Sequence, residues 1–128
     1  MAIYTLEKRF LFEASHQLMH HDGKCRRLHG HSWQGVVYVE KDELETTGPK
    51  QGMVIDYGDI STALKPLIEH YLDHYHLNDT LKTDNPTSEE IAKWIFNNLD
   101  PVLPGLVAVR VEETCTSAAT YRPHPPSW

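Results

Sequence analysis

The chain has 128 residues, 40% of them hydrophobic, and a net charge of −6. That size fits one ordinary globular domain with its own core, while the acidic balance argues against a nucleic-acid partner held through phosphates. No apolar run approaches the roughly 18 residues of a membrane span, and the alternating start, MAIYTLEKRF, lacks the shape of a signal peptide. A cytoplasmic location is therefore expected, with Cys25 and Cys115 as separate thiols rather than a disulfide.

Residues 3–16 read as a long strand. Tyr4, Leu6, Phe10, Phe12 and Ala14 share one face at period two, and His16 falls on the same face. A polar loop, Leu18 to Arg27, leads to a second strand over residues 30–40. Trp33, Val37 and Val39 lie on one side of it, and His29 and His31 belong to that side too. The two strands can pair as an antiparallel hairpin. Glu43 to Gly52 reads as a turn or short loop.

Asp56 is placed as an N-cap, and Ile60, Ala63, Leu64, Leu67, Ile68, Tyr71 and Leu72 follow at helical spacing. Pro66 inside that pattern predicts a kink or a division into two pieces. A second helix starts at Asn85-Pro86-Thr87-Ser88-Glu89-Glu90, with Thr87 and Glu90 as a capping box. Ile91, Trp94, Ile95 and Leu99 form its buried stripe, and Pro101 ends it. Leu106 to Glu113 reads as a third strand and Ala119 to Arg122 as a short fourth. The order β-β-α-α-β-β predicts an α+β fold, an antiparallel sheet with two helices on one face, in a single domain over residues 1–128.

Eight of the nine histidines fall in two clusters: His16, His20, His21, His29 and His31, then His70, His74 and His76. Such enrichment favours metal or acid–base chemistry. His29 and His31 are two apart on a strand, so both can reach one ion, with His16 as the natural third ligand. Three imidazoles suit a catalytic zinc with an open position; a structural site would want a fourth ligand, and Cys25 is the obvious one. Spacing leaves Cys25 open between fourth ligand and free thiol. His20 and His21 sit in a loop with no periodic partner and read as solvated surface. Lys24, Arg26 and Arg27 form a basic cluster that suits an anionic substrate or simply a solvated loop.

Asp73 beside His74 offers a carboxylate that can orient an imidazole, although a helix-end histidine also has a structural use. Glu113 continues the face of Val107, Val109 and Val111, where a carboxylate needs a partner. A nitrogen-rich ligand with two adjacent N–H donors would be a good one. The alternative is that the strand ends at Val111 and Glu113 is exposed.

Several ordered motifs carry a resemblance. They are Phe12-Glu13-Ala14-Ser15-His16, Cys25-x-x-x-His29-x-His31, Val54-Ile55-Asp56-Tyr57, Leu72-Asp73-His74, Leu77-Asn78-Asp79, Asn85-Pro86-Thr87-Ser88-Glu89 and Glu113-Thr114-Cys115-Thr116. From about Phe10 to Arg122 the chain resembles the family of 6-pyruvoyltetrahydropterin and 6-carboxytetrahydropterin synthases. The resemblance implies the tunnelling fold, in which three subunits join their sheets into a barrel and two trimers stack into a homohexamer with sites between subunits. It implies zinc on His16, His29 and His31, and Cys25 as a catalytic thiol with Asp73 and His74 as partners. Glu113 would anchor the pterin.

The implied substrate is 7,8-dihydroneopterin triphosphate. The favoured product is 6-carboxytetrahydropterin of the queuosine pathway, released with acetaldehyde and triphosphate. A pyruvoyl product of biopterin synthesis and a non-catalytic zinc- or pterin-binding module are the alternatives. His20 and His21 lie in a loop that varies within the family and inherit no role. His76 departs from its relatives, and the tail Pro123 to Trp128 has no assigned function.

Overall fold

Two thirteen-residue strands, β1 (Tyr4–His16) and β2 (His29–Lys41), run antiparallel in unbroken register from Tyr4 opposite Lys41 to His16 opposite His29. A computed structural model describes residues 2–124 of the chain. Period-two alternation buries Phe10, Phe12 and Ala14 of β1 against Trp33, Val37 and Val39 of β2. Tyr4 stays exposed, so the buried face of β1 begins later than the alternation predicts. Opposite Phe10 stands Gly35, where a Cβ would fall inside the ring.

Two helices cover this face. α1 (Tyr57–Leu67) starts at Asp56, whose side chain accepts the Gly58 N–H at 2.8 Å and also binds Lys50. Pro66 lies within α1, and the helix runs on into a wider π turn, Ile68–Leu72, closed by Asp73 N–H to Ile68 O at 2.9 Å. The predicted helix therefore exists, but its last turn is wound differently. A two-residue strand, β3 (Tyr75–His76), and a single helical turn, α2 (Leu77–Thr80), follow.

The third helix, α3 (Ser88–Leu99), is capped by Thr87, which accepts the Glu90 N–H at 3.2 Å. It buries Ile91, Ala92, Ile95, Phe96 and Leu99. Trp94, predicted in the stripe, is half-buried and packs on Tyr71 at 5.3 Å between ring centroids. β4 (Leu106–Thr114) and β5 (Ser117–Tyr121) complete the sheet, in the order β3-β1-β2-β4-β5.

One correction concerns the sheet, which is mixed rather than wholly antiparallel. β3 pairs parallel with β1 at Ala14 and Ser15. Two residues carry no alternation to read, and a four-residue helix carries no period, so neither β3 nor α2 has a sequence signature. No helix among the described residues is long and apolar enough to cross a membrane.

Candidate active site

The β1–β2 register sets His16 opposite His29 and Ala14 opposite His31, so all three imidazoles gather on the face covered by the helices. Their ring centroids lie 4.5 Å (His16–His29), 5.2 Å (His16–His31) and 4.9 Å (His29–His31) apart. Trp33 forms the floor, 5.0 Å from His16 and 5.1 Å from His31. His16 is wholly buried.

Two of the rings have their tautomer fixed by a carbonyl, which can only accept. His16 donates its Nδ1–H to Pro86 O at 2.9 Å, and His29 donates its Nδ1–H to Arg27 O at 2.7 Å. Burial holds the His16 imidazole below its ordinary pKa. The Pro86 carbonyl and Glu113 oppose this, and His29 and His31 add to it. His31 is lowered in the same way, first by burial. A neutral ring so held carries its lone pair at Nε2, as in His16 and His29, and the buried Nε2 atoms of His16 and His31 have no hydrogen-bond partner.

Glu113 Oε1 lies 3.3 Å from both of those nitrogens. Between the His16 lone pair and a carboxylate, only a proton or a cation makes the contact favourable, and burial of His16 disfavours the proton. One ligand atom from each of His16, His29, His31 and Glu113 falls within 4.8 Å of the others, so this group can hold a metal ion. Imidazole nitrogens and a carboxylate oxygen are donors of the kind that zinc takes.

Glu113 follows Val109 and Val111 on the inner face of β4, at the point where the β4–β5 register shifts between Glu112 and Thr114 and leaves it unpaired with β5. Its inward direction agrees with the alternation of β4. Its place among the imidazoles was not legible, because alternation within β4 does not give its register against β2. The four-ligand arrangement with Cys25 does not form: Glu113 stands in the group and Cys25 does not. Cys25 sits half-buried on a short 3-10 turn, Lys24–Arg26, as a free thiol.

Asp73 and His74 lie at the sheet edge, just before β3. The Asp73 carboxylate accepts the Glu13 N–H at 2.9 Å through Oδ1 and holds His74 Nδ1 at 3.0 Å through Oδ2. His74 N–H donates to Glu13 O at 2.6 Å, and its φ of 66° turns the chain sharply there. The Glu13 N–H, and after it the His74 ring, hold the Asp73 carboxyl below the usual carboxylate range.

A cavity of about 500 Å³ opens beside this pair, lined among others by Glu13, Ser15, His31, Ser32, His74 and His76. Within one chain it joins His31 to His74, but Cys25 is not in its lining. His76 is tied to Ser15, Nδ1 to Oγ, at 3.0 Å. His20 is exposed as expected, yet it has a partner in Asp84 at 3.0 Å.

Three imidazoles and a carboxylate gathered on an α+β sheet, with a carboxylate–imidazole pair nearby, form a centre that can hold a metal ion beside acid–base groups. The family follows from comparison: the chain belongs to the 6-pyruvoyl tetrahydropterin synthase family, which it matches over residues 5–124. It is 56% identical over 120 residues to a 6-carboxy-5,6,7,8-tetrahydropterin synthase of Synechocystis sp., covering 93% of each chain. It is 31% identical over 138 residues to the 6-pyruvoyl tetrahydrobiopterin synthase of Homo sapiens, covering 91% of this chain and 90% of that one. In structure it is similar to the 6-pyruvoyl tetrahydropterin synthase of Caenorhabditis elegans, with a TM-score of 0.83 and 29% identity over 97% of this chain and 98% of that one. The subunit architecture expected of the tunnelling fold is borne out.

Proposed function

We propose that the chain is a zinc-dependent 6-carboxy-5,6,7,8-tetrahydropterin synthase. It converts 7,8-dihydroneopterin triphosphate to 6-carboxytetrahydropterin, acetaldehyde and triphosphate, as a step of queuosine synthesis. The observation that carries the reading is the orphaned, inward Nε2 of His16 and His31 beside Glu113, in a chain 56% identical to a protein of that name.

In this reading His16, His29 and His31 hold the zinc through Nε2. A bound zinc supplies Lewis acidity to the hydroxyls of the substrate side chain, which makes the neighbouring C–H protons easier to remove. Cys25, as thiolate, takes such a proton. His74 gives a proton back to the substrate from Nε2, since its Nδ1 is held by Asp73, and the ionised Asp73 keeps that ring orientation. Exchange with solvent then resets both Cys25 and His74. Glu113 receives the adjacent N–H donors of the pterin ring. Lys24, Arg26 and Arg27 meet the triphosphate.

The working unit is a homohexamer of two stacked trimers, with each site between subunits. The outer edge of β1 from Tyr4 to Glu13 and that of β5 face no other strand among the described residues, and such a barrel would join them. Cys25 of one copy then works with Asp73 and His74 of a neighbour. A cytoplasmic location suits two thiols that must stay reduced.

The deciding experiment is incubation of zinc-loaded protein with 7,8-dihydroneopterin triphosphate, read by mass spectrometry, beside Cys25→Ala. The expected result is 6-carboxytetrahydropterin from the parent and none from the variant, with zinc retained in both. A pyruvoyl product would move the chain to the biopterin reaction, and zinc binding without turnover would make it a binding module.

A further inference from the structure

His16, Gln17, Met19 and His20 all lean on one stretch of chain, residues 78–86. Pro86 O takes the His16 Nδ1–H at 2.9 Å. Asp84 O takes the Met19 N–H at 3.1 Å, and Asp84 Oδ2 lies 3.0 Å from His20 Nε2. Between these contacts Asn78 grips Gln17 with both ends of its amide. Oδ1 accepts the Gln17 N–H at 2.8 Å, and Nδ2 donates to the Gln17 carbonyl at 2.8 Å. A planar group bonded twice fixes both the position and the twist of the peptide it holds.

Gln17 stands between the two halves of the site. Immediately before it comes His16, with its inward Nε2. Immediately after it, Leu18 donates its N–H to the Cys25 carbonyl at 2.9 Å. The Asn78 amide therefore acts on the imidazole cluster through one neighbour and on the thiol-bearing turn through the other. Asn78 is itself well fixed, since Leu77 beside it is fully buried and its own carbonyl accepts the Thr83 N–H at 3.1 Å. The His20–Asp84 pair grips the same loop but is exposed on both sides, where such contacts hold little.

We propose that Asn78 is a positioning residue that fixes the Cys25 turn relative to the imidazole centre. The inference rests on the reading of His16 as a metal ligand and Cys25 as the reacting thiol. Asn78 touches neither metal nor substrate; it holds the short run of backbone that joins them. A displacement of that run would be felt at both ends, because reacting groups tolerate little misplacement.

The sharpest variant is Asn78→Asp, which keeps the shape and one acceptor but sets a second carboxylate oxygen against the Gln17 carbonyl. Asn78→Ala serves if that variant does not fold. Ile95→Val, trimmed on the buried face of α3, is the control for general destabilisation. Two quantities are read without pterin. One is Zn²⁺ affinity by competition with a chromogenic chelator; the other is the alkylation rate of Cys25 relative to the exposed Cys115 of the same molecule. The Asn78 variant is expected to lose about 10-fold or more in Zn²⁺ affinity, as outer-shell substitutions do, and to shift the Cys25 to Cys115 ratio. Ile95→Val should leave both near the parent while lowering Tm. Pterin turnover, measured separately, should fall in kcat with KM little changed. Absence of turnover in the parent would count against the synthase reading alone. Parent-like affinity and thiol ratio in the Asn78 variants, or equal losses in Ile95→Val, would overturn the role of Asn78.

Discussion

His16 Nε2 and Glu113 Oε1 face each other at 3.3 Å, and neither atom has a hydrogen to share when the imidazole is neutral. Such a contact is unfavourable until a cation lies between the two. Removing the metal is expected to silence turnover without unfolding the chain, because the core of Phe12, Ile60, Leu64, Ile95 and Leu99 is built from apolar side chains. Far-UV circular dichroism before and after chelation decides the matter. Collapse of the spectrum would make the cluster a structural clip.

Glu113→Gln separates the two demands on that side chain. The amide can donate to an imidazole lone pair, so the metal-free protein should be as stable as the parent or more so. Loss of a charge-assisted hydrogen bond to the pterin, about 1.5–3 kcal/mol, should raise KM by roughly 10- to 100-fold. Should Zn²⁺ affinity collapse while KM holds, Glu113 would be a ligand and not the pterin anchor.

Cys25→Ala and His74→Ala are each expected to abolish turnover. If each site draws the thiol from one copy and the dyad from another, mixing the two inactive proteins under subunit exchange should restore part of the activity. The readout is product formation after mixing and renaturation. Mixtures as dead as their components would place thiol and dyad in the same subunit.

Asp73 and Asp56 both have carboxyls held below the usual range: Asp73 first by the Glu13 N–H, Asp56 first by the Lys50 side chain. A depressed folded pKa means that the unfolded chain takes up protons first on acidification. The stabilisation is therefore complete above the unfolded value of about 4 and is lost as pH falls through the lower folded values. Tm followed from pH 6 downward should drop in that window, and Asp73→Asn should make the drop shallower. A slope unchanged by Asp73→Asn would refute the assignment.

Gly35→Ala pushes a methyl into the ring of Phe10, which is itself stacked on Phe12 with centroids 6.0 Å apart. The ring has little room to yield, so a loss of about 1–3 kcal/mol is expected in urea denaturation. No measurable loss would mean that Phe10 can repack.

Much of this was legible beforehand for a simple reason. Alternation over a long strand is a strong signal, and the parity of Phe12, Ala14 and His16 against His29, His31 and Trp33 is enough to gather three imidazoles once the hairpin closes. Parity also aimed Glu113 inward, but not at the histidines, because the register of β4 against β2 leaves no mark in composition or period. The Asp73–His74 pair is adjacent in sequence and so could be noticed. Its anchorage on the Glu13 backbone could not, being a contact across 60 residues made in part by main-chain atoms. Spacing could not choose a role for Cys25, and in the structure it is Glu113, not Cys25, that stands with the three imidazoles. The grip of Asn78 on Gln17 was likewise invisible, since a side chain that bonds to backbone leaves no partner residue type to search for.

The carbonyls of Pro86 and Arg27 orient His16 and His29, and a carbonyl is common to every amino acid. Positions 27 and 86 can thus drift in side-chain identity without disturbing the two rings, provided the chain keeps its path. A deep mutational scan would score Arg27 as permissive for metal binding although its main chain steers a ligand. Tolerance at that position would record where the instruction is written, not whether one exists.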